Sequence, residues 1–346
     1  MRFVRLSRRH ISLNIHLVSA TLASIGTDRA LLPGSPACHQ ISQDSGQSMV
    51  TQPDTAPSTG PDPPTARVRW IEEAEREPWI SILQEVDAEI DPDLSNLPAL
   101  LGRVPLAIWA AALLQPQTFF PRSHPHLPVM ASPHVQLKYN AGHGASLLLR
   151  SVDFVRQTAT WLGSCGITVA TARGMDFGIG WGRLARLWLK YAAPNALLGA
   201  DAWKPSLDEA RGCNLKNPLL HTGAVLAEAP AESLDFAWAC SVFTHLDREA
   251  FEACLLHLGR SLRPGGALLF SVRPHEFMGR IGKPVPQPDE PFVFHTHPTG
   301  PAHFGNTSVS PAWVAAECVR AGLETPCLEW SPRDPYQVLV LTRRPQ

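Results

Sequence analysis

The sequence predicts an α/β fold: a doubly wound, mostly parallel sheet with helices on both faces, behind an N-terminal helical extension. Three observations predict it. From residue 166 onward, short apolar runs alternate with helical stretches, which is how a parallel sheet with crossover helices is written. One of these runs ends in an acid followed by three alternating glycines ahead of a helix, and another ends in Asp201. Before residue 165 the apolar residues recur at helical spacing instead.

Taken in order, the first 30 residues carry five arginines and one acid, Asp28, around an apolar run that Asn14 and His16 interrupt. A secretory leader prefers an unbroken apolar centre, so we expect the biological start at Met49. Residues 49–68 hold five prolines and few large apolar groups, too little buried surface to offset chain entropy. Residues 1–68 are therefore expected to be a disordered or mis-assigned extension. Residues 69–135 read as a helical extension and connector, with an amphipathic helix over 69–90 interrupted or restarted at Pro78, and an apolar piece over 97–114. These helices either extend the core of the domain behind them or form a lid or partner-binding arm. Residues 136–346 read as the main domain. A helix over 146–162 ends at Gly163 and leads into the runs 166–170 and 173–178. There follow a helix over 182–192, the run 196–201, a short helix from Ser206, the run 233–242, a helix over 248–262 and the run 266–273.

Bulk properties narrow the function. A formal net charge of -1 with 18% charged residues leaves no basic stripe for nucleic acid, so a small or neutral partner is expected. The longest apolar stretch, 106–114, is about half of what a membrane-spanning helix needs. Seven scattered cysteines, none at C-x-x-C spacing, fit a reduced, cytoplasmic protein.

The run Gly174-Met175-Asp176-Phe177-Gly178-Ile179-Gly180-Trp181-Gly182-Arg183 carries the functional argument. Glycines at a strand-to-helix turn permit positive φ and close approach of a ligand, while the helix start offers unpaired N–H groups. A dinucleotide fingerprint needs G-x-G-x-x-G, but here the glycines fall as G-x-G-x-G with Asp176 two residues ahead. An acid there repels a pyrophosphate and welcomes an ammonium. Asp201, at the tip of the next run, is placed to accept hydrogen bonds from ribose hydroxyls, or to cap the helix that follows.

This glycine loop resembles that of the class I S-adenosylmethionine-dependent methyltransferases, which reads close to DFGCGWGR. The resemblance continues through 234–273, where LDFAWACSVFTHL and LRPGGALLFSV look like the family's fourth and fifth strands, and on to a last helix and an antiparallel closing hairpin. In LRPGG, Pro264 is expected to end the helix and the two glycines to make the turn. The resemblance implies a seven-stranded, Rossmann-like methyltransferase fold and S-adenosyl-L-methionine as cofactor. It further implies that Gly178, Ile179 and Gly180 pass beneath the methionine and ribose, with Asp176 near the amino group, Asp201 on the ribose, and Ser241 near the sulfonium and the substrate entrance. One departure stands out: the family's acid after the third strand has no counterpart in 219–224.

Methyl transfer from a sulfonium disperses positive charge, so proximity in a dry pocket supplies much of the catalysis and a base is optional. His245, four residues beyond Ser241, is the candidate base, with capping or packing as its alternative. His275, His295, His297 and His303 gather with Arg273 and Phe292 in the irregular segment after the fifth strand, where an acceptor pocket is expected. No carboxylate or cysteine accompanies them at a familiar spacing, so no metal is expected. Trp181 is read as covering the helix start. The expected activity is methyl transfer to an oxygen or nitrogen of a small molecule or glycan. A non-catalytic cofactor-binding scaffold and a nicotinamide-dependent oxidoreductase stay open as alternatives.

Overall fold

The computed structural model describes residues 78–223, 230–298, 301–331 and 334–346. The expectations for 1–68 and the beginning of the helix at 69–90 lie outside the described residues. Helices α1 (Trp79–Glu89), α2 (Leu97–Leu100), α3 (Leu106–Ala112), α4 (Pro116–Phe119), α5 (Pro133–Asn140) and α6 (Gly144–Ser164) come first. The chain then runs β1 (Gly174–Phe177), α7 (Ala185–Trp188), β2 (Leu197–Asp201), α8 (Lys204–Gly212), β3 (Leu219–His221), β4 (Leu234–Ala239), α9 (Arg248–Ser261) and β5 (Leu262–Val272). It closes with α10 (Glu276–Arg280), β6 (Phe292–Thr296), β7 (Gly305–Val309), α11 (Pro311–Arg320), β8 (Cys327–Trp330) and β9 (Val338–Arg343).

Seven strands form one sheet in the order β3-β2-β1-β4-β5-β9-β8, and β6 with β7 forms a separate hairpin. β1 to β5 pair in parallel, and β9 pairs antiparallel with both β5 and β8. Side-chain alternation along β4 divides the core as a two-residue period requires. Phe236 and Trp238 face the cluster that holds Leu187 and Trp188, while Ala237 and Ala239 face the α9 and α11 residues Phe251, Leu255 and Trp313. The N-terminal helices belong to the first of these clusters: Leu97, Leu101, Trp109 and Leu113 are buried in it together with Phe236 and Trp238. Trp109 Nε1 donates to Arg186 O at 3.1 Å and Lys190 Nζ to Leu101 O at 3.0 Å, which fastens this layer to the chain after the glycine loop.

Local chemistry explains several boundaries. Ser132, Asp247 and Ser310 cap α5, α9 and α11 by accepting the amides of Val135, Ala250 and Trp313. Four expectations are corrected. Residues 166–170 form turns rather than a strand: Gly166 has φ +77°, and the amide of Ala172 returns to Thr168 O. The helix over 182–192 contracts to α7 because Gly182 still has φ +81°, and bonds to the third residue back mix with bonds to the fourth around it. α9 ends at Ser261, so Pro264 does not end it; the RPGG stretch runs inside β5, where the register shifts between Leu234↔Leu262 and Phe236↔Ala267. The segment between β5 and α11 is not irregular throughout, since it contains the β6–β7 hairpin.

Candidate active site

β1 lies between β2 and β4, and the chain leaves it for β2 on one side while later strands build out on the other. The carboxyl ends of β1 and β4 therefore flank the crevice where an open parallel sheet binds its ligands. The loop after β1 is stapled to β2: the amides of Gly178 and Ile179 both donate to Ala200 O, at 2.8 and 3.1 Å. Gly178 and Gly180 take φ +79° and +55°, and a Cβ on Gly178 would come within 2.3 Å of Val242 Cγ2. The glycine there answers both a left-handed backbone and the close approach of the chain beyond β4.

Asp201 holds the other side of this turn. Its Oδ2 accepts the Gly180 amide at 3.0 Å and its Oδ1 the Trp203 amide at 2.8 Å. Burial pushes its carboxyl above the ordinary range, against the pull of those two amides. The Ser206 side chain bonds the same carboxylate, and these three bonds do not exhaust its roughly four lone pairs. Asp176 is sealed beneath the loop at 2% exposure, with Oδ2 buried and unpartnered. Burial raises its carboxyl to about 7, with the Arg183 charge acting in the opposite direction.

A cavity of about 570 Å³ opens beside the loop, a size ordinary for small-molecule sites. α5 and α6 form one wall of it, through Tyr139, Arg150 and Phe154. Cys240, Ser241 and His245 contribute from the segment after β4, and Arg273, Tyr336 and Gln337 from the other side. Ser241 sits in the left-handed region at φ +61°, an uncommon conformation for a non-glycine residue. It is fixed there by its amide donating to Ser271 Oγ at 2.7 Å and by its Oγ accepting Gln337 Nε2 at 2.8 Å.

The structure thus brings Ser241 and His245 to the cavity. Asp176 lies under the glycine loop, Asp201 behind it, and the Ile179 side chain points into the core against Gly199. Gly180 faces the Tyr139 ring, 3.6 Å from where a Cβ would stand. Trp181 is buried with Leu147 and Cys213, and its Nε1 donates to Asn140 Oδ1 at 2.9 Å, so it packs α5 onto the loop. His245 Nδ1 meets Gly305 O at 2.7 Å, which makes Nδ1 the protonated nitrogen and leaves Nε2 as an acceptor 3.4 Å from Arg273 Nη2. Burial, helped by the Arg273 charge, lowers His245 to about 4. The candidate base is thus neutral at pH 7, with Nε2 as its accepting nitrogen. The other histidines do not converge on the cavity: His275 is held between Ser308 Oγ and Glu290 O. Among the described residues no histidine, cysteine and acid cluster suited to a metal occurs.

Sequence reading missed Tyr139, Arg150 and Arg183; of the group expected after the fifth strand, Arg273 lines this cavity and its histidines and Phe292 do not. A signal existed for Arg150: with Leu147, Phe154 and Gln157 it marks one helical face that mixes apolar and polar residues, unlike a stripe serving only the core.

Residues 175–270 match the family model described as a methyltransferase domain. The match covers the segment from β1 into β5. No curated protein matches it. Among solved structures it is similar to an S-adenosylmethionine-dependent methyltransferase from Mesorhizobium loti, at 16% identity over 55% of this chain and 98% of that one, with a TM-score of 0.41. A 1,6-didemethyltoxoflavin-N1-methyltransferase from Burkholderia thailandensis shares 19% identity over 63% and 94%, TM-score 0.40. The magnesium protoporphyrin IX methyltransferase of Synechocystis PCC 6803 shares 17% over 57% and 85%, TM-score 0.41. At these values the neighbours carry no argument about the acceptor.

Proposed function

We propose that this protein transfers a methyl group from S-adenosylmethionine to an oxygen or nitrogen of a small molecule or glycan. Within that reading, residues 136–346 form the catalytic domain and the helices before them a layer sharing its core. The observation that carries the proposal is the glycine loop beside the cavity at the switch point of the sheet, with a carboxylate on each side of the loop. The residues fit such a cofactor: Gly180 keeps the space toward the Tyr139 ring free of a Cβ atom, and the unpartnered Oδ2 of Asp176 suits a cationic ligand above it.

Gly178, Ile179 and Gly180 would carry its methionine and ribose portions on their backbone, Asp201 would offer its remaining lone pairs to the ribose, and Ser241 would border the sulfonium. When bound, the cofactor supplies an electrophilic methyl carbon; the protein's task is to hold an acceptor in line with it and exclude water. Ser241, locked by Ser271 and Gln337, is a rigid boundary for that alignment. His245, neutral with Nε2 as acceptor, takes a proton from an acceptor group only weakly and chiefly orients Arg273. Among the described residues no helix is long and apolar enough to cross a membrane.

Calorimetric titration with S-adenosylmethionine and S-adenosylhomocysteine tests the reading. Micromolar binding is expected; a folded sample that binds neither would overturn it, and binding of a reduced nicotinamide cofactor instead would revive the oxidoreductase alternative.

A further inference from the structure

The cavity is lined by Lys138, Arg150, Arg183, Arg273 and Arg280 against two carboxylates, Asp153 and Asp334. Asp153 is paired with Arg156 at 2.8 Å, and Asp334 accepts the Tyr336 amide at 3.0 Å. Arg150 and Arg183 stand together beside Cys240: Arg183 reaches Ser151 Oγ at 2.8 Å and Cys240 Sγ at 3.6 Å. Its neighbouring charge, after burial, weakens the protonated form of Arg150. This pair adjoins the glycine loop, which Arg183 directly follows.

A second cationic group lies farther along, on the end of β5 and on α10. Arg273 Nη1 donates to Thr244 O at 3.1 Å and Asn306 Oδ1 at 2.9 Å, its guanidinium covers Phe277 at 3.9 Å, and Nη2 turns to His245. Every one of these partners is uncharged. Arg280 lies over the Tyr336 ring at 5.4 Å, and the Phe277 and Tyr336 rings meet edge to face at 6.0 Å. Asp334 is close enough to favour the Arg273 charge, while the direct partners of its guanidinium are Thr244 O, Asn306 Oδ1 and His245. A guanidinium withdrawn from water and offered neutral direct partners lacks the contacting counter-charge that such burial normally has. Two guanidiniums fixed on aromatic rings at one cavity wall are a preorganised receptor for an oxyanion.

We propose that the methyl acceptor is an organic anion whose carboxylate or similar oxyanion docks at Arg273 and Arg280, with its body against Tyr336. The inference rests on the methyl-transfer reading. The test uses the full chain saturated with S-adenosylhomocysteine and titrated with a series of hydroxycarboxylates, 4-hydroxybenzoate and salicylate among them, each against its neutral amide. At least one acid is expected to bind about tenfold or more tighter than its amide, as a charged hydrogen bond gained implies. Arg273→Gln and the surface-exposed Arg280→Gln should each remove most of that preference while leaving the amide and S-adenosylhomocysteine titrations unchanged. The unchanged titrations separate a lost anion site from a misfolded variant. Acids and amides binding alike throughout, or both variants keeping the preference, would overturn the proposal. Wild-type protein that binds S-adenosylhomocysteine but prefers no acid sinks this inference alone. Failure to bind either S-adenosylmethionine or S-adenosylhomocysteine sinks the methyltransferase reading on which it depends.

Discussion

The two sides of the crevice are made of different material. Toward β1 and β2 the site is backbone: glycines in the left-handed region, amides stapled to Ala200 O, and one carboxylate bridging the amides of Gly180 and Trp203. Toward α6, β5 and the chain at 334–337 it is long side chains, Arg150, Arg273, Tyr336 and Gln337, drawn from distant parts of the chain. A backbone cradle binds one fixed shape and tolerates almost no change, while a wall of side chains can be re-cut without disturbing the scaffold. The first side suits a constant ligand, the second a particular one.

That contrast is broken most severely at Gly178. Alanine there must hold φ near +79° and place its Cβ 2.3 Å from Val242 Cγ2. The left-handed backbone and the overpacking together cost about 2–5 kcal/mol. We expect Gly178→Ala to lower the midpoint of chemical unfolding and to abolish measurable S-adenosylhomocysteine binding. A variant that binds normally would show the loop to be no cradle.

Asp201→Ala comes next. It removes an acceptor from the amides of Gly180 and Trp203, as well as from the proposed ribose contact. Affinity should fall by one to two orders of magnitude, the equivalent of roughly 1.5–3 kcal/mol for a charged acceptor. Unchanged affinity would leave Asp201 a purely structural clamp.

The same side carries a pH signature. With the Asp176 carboxyl raised to about 7, the folded state holds a proton that the unfolded chain gives up near the ordinary carboxylate value of 3.8. Stability is therefore greatest below the unfolded value and falls as pH rises toward about 7, by a few kcal/mol at most. Asp176→Asn should flatten that slope in unfolding measured from pH 4 to 8. Cofactor affinity has the opposite sign, because only the ionised carboxylate attracts an ammonium. It should weaken by up to about tenfold per unit as pH drops below about 7. A flat affinity profile in the wild type would detach Asp176 from the ligand.

The division also explains what the sequence disclosed. Glycine spacing, an acid at a strand end and a period change from helix to strand are local, so β1, β2, β4, the loop and the doubly wound sheet were legible before any coordinates. The boundaries missed were those where a local rule met a tertiary demand. Pro264 looks like a helix stop, yet α9 had already ended at Ser261 and the RPGG stretch was drawn into a bulge of β5. Residues 166–170 look like a strand, but the sheet has no place for one there, and Ile167 and Val169 pack on the core from a turn. The side-chain wall was illegible because nothing local connects Arg150 on α6 with Arg273 at the end of β5. Only the strand order brings them to one cavity.

His245 belongs to the second side and should give the smallest effect. Its ring is stacked on Phe304 at 5.1 Å, its tautomer is set by Gly305 O, and burial with the Arg273 charge holds it at about 4. It is therefore neutral from pH 5 to 8, and kcat/KM should show no fall near pH 6.5, where an ordinary histidine base would lose its lone pair to a proton. A base this weak contributes less than the hundredfold or more that a well-matched one supplies, so His245→Gln should lower kcat by about tenfold or less. If the residue chiefly orients Arg273, the loss should appear in KM for an anionic acceptor more than in kcat. A steep rate decline below pH 6.5 that vanished in His245→Gln would return the histidine to the role of proton acceptor. The charge of Arg273 would then have to be neutralised by the acceptor itself before the chemistry begins.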